Sequence, residues 1–149
     1  MNKVLNLGNK EYALKLLGKI KNNNYVPFDL RVTNAHLPAL NKIIGRNIFR
    51  KDVLYVNTQT LWEIMQPIGG RGKHHYHQLS PQEILDALKD IKNSKDVNES
   101  YDGRYLIITL VMHQNDAPIA IILEPHGQLK ENVGVDVARV ITMYPYNKK

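Results

Sequence analysis

Cysteine is absent from the 149 residues. That removes disulfides, thiolate zinc sites and a cysteine nucleophile from consideration, and it fits a reducing, cytosolic compartment. Long apolar runs are missing too. The longest, Tyr105 to Met112 with Thr109 inside it, is less than half of the roughly 20 residues that a membrane-spanning helix needs. The opening stretch, Met1 to Lys10, lacks the apolar core of a signal peptide. No repeat, low-complexity tract or linker divides the chain, and no nucleotide-binding glycine fingerprint appears in it. These absences predict a soluble, cytoplasmic protein with no membrane partner.

What remains is ordinary globular material. An apolar fraction of 43% with 23% charged residues suits one domain, long enough to bury a core without covalent staples. The charge is uneven. Net charge is +6, but residues 1–75 hold 12 Lys/Arg against 4 Asp/Glu, whereas residues 76–149 hold 8 against 10. A basic half on an otherwise balanced domain is the footprint of a polyanion partner, nucleic acid first. The plainer alternative is a basic surface with no specific acidic ligand.

Periodicity places the elements. Asn9 caps a predicted helix over 10–21, with Ala13, Leu16, Leu17 and Ile20 at helical spacing. Phe28 to Val32 reads as extended. Thr33 or Asn34 is the expected cap of a second helix, with Pro38 in its first turn and Gly45 as its stop. Val53 to Val56 reads as a short strand, and Thr58 as the cap of a third helix carrying Leu61, Trp62 and Met65. Trp62 reads as core. Ser80-Pro81-Gln82-Glu83 is a capping box, opening a helix to about Lys92. Period 2 then takes over in Arg104–His113, Ala117–Glu124 and Asp136–Tyr144. Helices followed by a meander predict an α+β fold: N-terminal helices on one side of a small, about four-stranded antiparallel sheet built mainly by the C-terminal half. The predicted organisation is a single domain over 1–149, with a helical region at 1–50 and the core at 51–146.

Three of the six histidines, His74, His75 and His77, crowd into a glycine-rich basic loop beside Arg71 and Lys73. Histidine exchanges protons near neutral pH, and loops held beside a rigid sheet commonly carry such groups. Three readings of the cluster stand side by side: acid–base catalysis, a metal site, or plain surface residues. A metal reading has no His-Glu-x-x-His motif and no evident carboxylate to complete a shell. On the last strand, strict alternation puts Ala138, Val140, Thr142 and Tyr144 on one face and Arg139, Ile141 and Met143 on the other. The hydroxyls of Thr142 and Tyr144 suit a phosphate; equally, both residues are good strand formers. Arg104 opens a strand, where it either reaches a phosphate or sits solvated. His36, His113 and His126 show no constellation around them.

The loop Gly72-Lys73-His74-His75-Tyr76-His77, the capped helix, Gly103-Arg104-Tyr105 and the closing Val140-Ile141-Thr142-Met143-Tyr144-Pro145 come in an order that resembles the phage- and prophage-associated nuclease domains of the Barnase–EndoU–Colicin–RelE-like superfamily. The resemblance covers about residues 50–146. It implies helices leading into a four-stranded antiparallel sheet and a toxin-like endoribonuclease that works without metal or cofactor. It also implies catalytic His74, His77, Thr142 and Tyr144, with Arg71, Lys73, His75 and Arg104 binding substrate. The implied chemistry is attack of a ribose 2′-hydroxyl on the adjacent phosphate, giving a 2′,3′-cyclic phosphate and a 5′-hydroxyl. The implied partners are RNA, tRNA among the candidates, and an immunity or host protein. The alternative on the same fold is a phage-encoded inhibitor module that binds nucleic acid or protein without turnover.

Overall fold

The computed structural model describes residues 4–23, 27–67, 77–94, 96–103, 105–112, 118–128 and 136–146. The chain runs β1 (Val4–Asn6), α1 (Lys10–Asn22), β2 (Asp29–Thr33), α2 (Leu40–Ile44), β3 (Val53–Asn57), α3 (Thr58–Met65), α4 (Pro81–Lys89), β4 (Asp96–Asp102), β5 (Tyr105–Met112), β6 (Ile119–Gln128) and β7 (Asp136–Pro145).

Local chemistry explains the helix boundaries. Asn9 Oδ1 accepts from the Tyr12 amide at 3.3 Å and starts α1. At α4 the capping box is complete: Ser80 Oγ accepts from the Glu83 amide at 3.1 Å, and Glu83 Oε1 accepts from the Ser80 amide at 3.0 Å. Ser80→Ala is expected to cost about 1 kcal/mol, read as a lower urea midpoint at unchanged slope; an unchanged midpoint would mean that packing alone fixes the helix start. α4 ends at Lys89, short of the predicted Lys92, and a 3-10 turn at Ile91–Asn93 completes the run while keeping Ile91 buried.

Two predicted caps move. Thr33 belongs to β2 and Asn34 takes a left-handed φ of 64°, so the second helical segment begins later, as a 3-10 turn at Leu37–Ala39 leading into α2. There Asp52 Oδ1 accepts from the Leu37 amide at 3.0 Å, doing from a distance what a local cap does elsewhere. Gly45, at φ 87°, ends α2 as expected. For α3 the cap is Asn57, whose side chain accepts from the Gln59 amide at 2.9 Å, while Thr58 Oγ1 accepts from the Phe28 amide.

The sheet corrects the sequence reading. It is seven-stranded and mixed, in the order β1-β2-β3-β7-β6-β5-β4, not a small four-stranded antiparallel one. β1 with β2 and β3 with β7 are parallel, and the other pairs are antiparallel. The N-terminal strands join the meander through Leu30, Val32, Leu54 and Val56, all buried in the shared core. In register, Val32 lies beside Leu54 and Leu54 beside Ala138, so one apolar surface runs unbroken across the sheet. Ile108, Leu110, Ile121, Leu123, Val140 and Met143 extend it, and α1, α3 and α4 bury their apolar faces in the same core. Each fully buried Leu or Ile contributes about 1.5–3 kcal/mol. β4 escaped the sequence reading because it is an edge strand whose Asn98, Glu99, Ser100 and Tyr101 are exposed. Such charged and polar edges resist pairing with other chains. Its Glu99 pairs with Arg46, and together with Tyr101 holds that guanidinium above its ordinary pKa.

One irregularity decides which way the last strand points. Ile122 pairs with Thr142 but the next residue, Leu123, pairs with Val140, so β7 carries an extra residue, Ile141, as a β-bulge. The bulge reverses the alternation. Met143, fully buried, joins Ala138 and Val140 on the core side, and Thr142 and Tyr144 turn to the far face. The expectation that Thr142 and Tyr144 share a face with Ala138 and Val140 is therefore corrected. They share one with Arg139 and with Tyr55, which lies beside Arg139 in register.

Candidate active site

β3 and β7 pair over only two positions, Leu54 with Ala138 and Tyr55 with Arg139. Beyond them β3 gives way to α3, which lies alongside the rest of β7. Below α3 the chain returns antiparallel to its last turn, with the Gln78 amide donating to the Gln66 carbonyl at 2.9 Å and the Leu79 amide to the Ile64 carbonyl at 3.0 Å. Leu79 plugs the core. This return strap delivers His77 to the flank of β7.

The result is a pocket of about 400 Å³ lined by Thr60, Glu63 and Ile64 of α3, by His77, and by Ile141, Thr142 and Tyr144 of β7. The His77 and Tyr144 rings lie with centroids 5.9 Å apart, tilted by 44°. Glu63 is steadied by Gln59, whose Nε2 donates to Oε1 at 3.2 Å. The pocket thus gathers an imidazole, a phenol, two threonine hydroxyls and a carboxylate. Chemically that is a set able to move protons and to hold an anion's oxygens, and its side chains are half-buried.

Three of the residues singled out from sequence, His77, Thr142 and Tyr144, meet here. Arg71, Lys73, His74, His75 and Arg104 lie outside the described residues, as does His113. Two pocket residues had no sequence signal, Thr60 and Glu63: they belong to a helix whose place beside β7 follows only from the sheet order. Among the described residues no group of three His, Asp or Glu side chains is arranged to hold a metal ion.

A second, larger cleft of about 720 Å³ opens at the other end of β7, lined by Arg31, Tyr55, Arg50, Lys51 and His126 over a floor that includes Phe49 and Ala138. His126 therefore does sit in a constellation, contrary to the sequence reading, and His36 approaches Asp52, with Nδ1 4.0 Å from Oδ2. Neither neighbourhood is visible in sequence because each joins residues from separate loops. No described helix is long and apolar enough to cross a membrane.

Comparisons of the chain with known protein families, with curated proteins and with solved structures found no match.

Proposed function

We propose that this protein is a metal-independent endoribonuclease that cuts RNA by 2′-hydroxyl transesterification, with its centre in the His77 pocket. The observation that carries the reading is the meeting of His77 with Tyr144 and Thr142. These residues come from a loop and a strand more than sixty positions apart, and the resemblance to phage-associated nucleases nominated all three. In the proposed reaction His77 takes the proton of the ribose 2′-hydroxyl and the freed oxygen attacks phosphorus. The P–O5′ bond breaks, and the departing 5′-oxygen takes a proton from a second group. His74, three residues earlier in the sequence, and Glu63 across the pocket are the candidates for that group. Thr142 and Tyr144 donate hydrogen bonds to the phosphoryl oxygens, whose charge grows in the transition state. A toxin-like activity of this kind calls for an immunity protein in the producing cell.

The test is direct. Incubated with mixed RNA and tRNA in EDTA, the protein is expected to release fragments with 2′,3′-cyclic phosphate ends and to leave DNA of the same sequence intact. Intact RNA, cleavage of DNA, or a requirement for Mg²⁺ would each sink the scheme. A second reading, a module that binds nucleic acid or a host complex without turnover, is favoured by the larger cleft, whose cations make no ion pair among the described residues.

A further inference from the structure

The larger cleft is built rather than incidental. Three cations, Arg31, Arg50 and Lys51, line it, and no carboxylate does among the described residues. Elsewhere among the described residues Arg46 is neutralised by Glu99, and the half-buried Arg139 by Glu124 at 3.3 Å. Leaving three like charges together unpaired raises the energy of the free protein and favours an anionic ligand. The segment that carries two of them is held firmly. Asn41 Oδ1 accepts from the amides of Ile48 and Phe49 at 3.0 and 2.9 Å, and its Nδ2 donates to the Phe49 carbonyl at 2.7 Å. Ile48 and Phe49 are then sunk in the core, so Arg50 and Lys51 emerge from a fixed stem.

The cleft offers more than charge. Tyr55 rises from the sheet between Arg31 and Arg139 in register, and His126 stands at the bulge where β6 departs from β7. Cations interleaved with ring faces over a strand surface are what a flexible single strand of nucleic acid uses, phosphates on the charges and bases on the rings. An acidic peptide would use the charges alone.

We propose that the cleft at the junction of β3 and β7 is a sequence-tolerant binding site for single-stranded nucleic acid, with Arg31, Arg50 and Lys51 on the backbone phosphates and Tyr55 and His126 against bases. Binding at the cleft is independent of any catalysis. Its second consequence rests on the ribonuclease reading: β7 leads from Ala138 in the cleft to Thr142 in the His77 pocket, about 10 Å at the usual rise of a strand once the bulged Ile141 is left out. That is roughly three nucleotides at the axial spacing of a stacked strand. The cleft then holds the strand while the pocket cuts it several nucleotides away.

The probe is a fluorescent oligothymidylate, which has no 2′-hydroxyl and cannot be cleaved by this route, titrated across a range of salt. A triple variant, Arg31→Gln/Arg50→Gln/Lys51→Gln, is expected to lower the slope of log affinity against log salt by about two, from about 0.7 per phosphate contact on a single strand. A control triple, Lys10→Gln/Lys15→Gln/Lys19→Gln on the exposed side of α1, removes the same charge and is expected to keep the slope. Tyr55→Leu, which preserves apolar bulk, is expected to weaken binding about tenfold at an unchanged slope. Equal losses in the two triples, no binding by the native protein at low salt, or displacement by polyglutamate as effective as by oligothymidylate would overturn the assignment. Oligothymidylate binding lost in the cleft triple, with RNA left uncut by native protein, would keep the cleft and remove the ribonuclease. Cutting that proceeds with affinity unchanged in the cleft triple would do the reverse.

Discussion

His77→Ala is expected to slow RNA cleavage by about 10²–10⁴-fold, the contribution that a positioned general acid or base makes to a rate. His77 is half-buried at the end of the return strap, and the Gln78 and Leu79 amides tie the strap to α3 through backbone hydrogen bonds that the substitution leaves in place. The substitution should therefore leave the urea midpoint close to native, and the affinity for oligothymidylate with it, so that the loss falls on the chemical step. Tyr144→Phe keeps the ring that packs beside His77 and removes only the hydroxyl. It is expected to cost less, about 10-fold, as the loss of one hydrogen bond to charge that develops in the transition state. A His77→Ala enzyme that cuts at the native rate would move the proton transfer away from this pocket. A variant that loses cutting, midpoint and oligonucleotide binding together would show His77 to be a structural residue.

The largest expected change in stability belongs to Leu54→Ala. Leu54 is fully buried and lies in register with Val32 on one side and Ala138 on the other. It is the apolar rivet between the three N-terminal strands and the four C-terminal ones. Truncating a buried leucine typically costs about 2–5 kcal/mol, depending on how far the neighbours collapse into the space. Here the neighbours are strands fixed by their ladders on both sides, which argues for the upper part of that range. Urea denaturation followed by far-ultraviolet circular dichroism reads the loss. A cost well under 1 kcal/mol would mean that the two halves of the sheet are not packed through this position.

The sequence made some of this legible and hid the rest for physical reasons. Asn9, Ser80-Pro81-Gln82-Glu83 and Gly45 are local devices, and each acts where the sequence placed it. β5, β6 and β7 announced themselves by length and alternation. β2 and β3 were visible as extended segments, but each shows the core only two fully buried residues, too few to say which sheet receives them. Parallel pairing of β3 with β7 leaves no local trace at all. The bulge at Ile141 is equally silent, because one extra residue inside an unbroken run of strand formers changes no composition while it turns every later side chain over. That is why Thr142 and Tyr144, which line one pocket with His77, lie on the opposite face from the one that strict alternation predicts. The basic cleft was present in the sequence only as the surplus of Lys and Arg before residue 75, since its walls are drawn from β2, the α2–β3 connection, β3 and the β6 bulge.

The narrow β3–β7 junction also orders events in time. β4 to β7 form a meander of neighbours that close short loops, whereas the junction brings together residues more than eighty positions apart for two pairs of ladder contacts. Closing so long a loop costs entropy before the contacts return it, so such pairings come late in folding. Both concave sites straddle that junction: the cleft needs β2 and β3 against β7, and the pocket needs α3 against β7. A growing chain on the ribosome therefore carries neither concave site until nearly all of β7 has emerged, and the two sites take shape together, in the same late step.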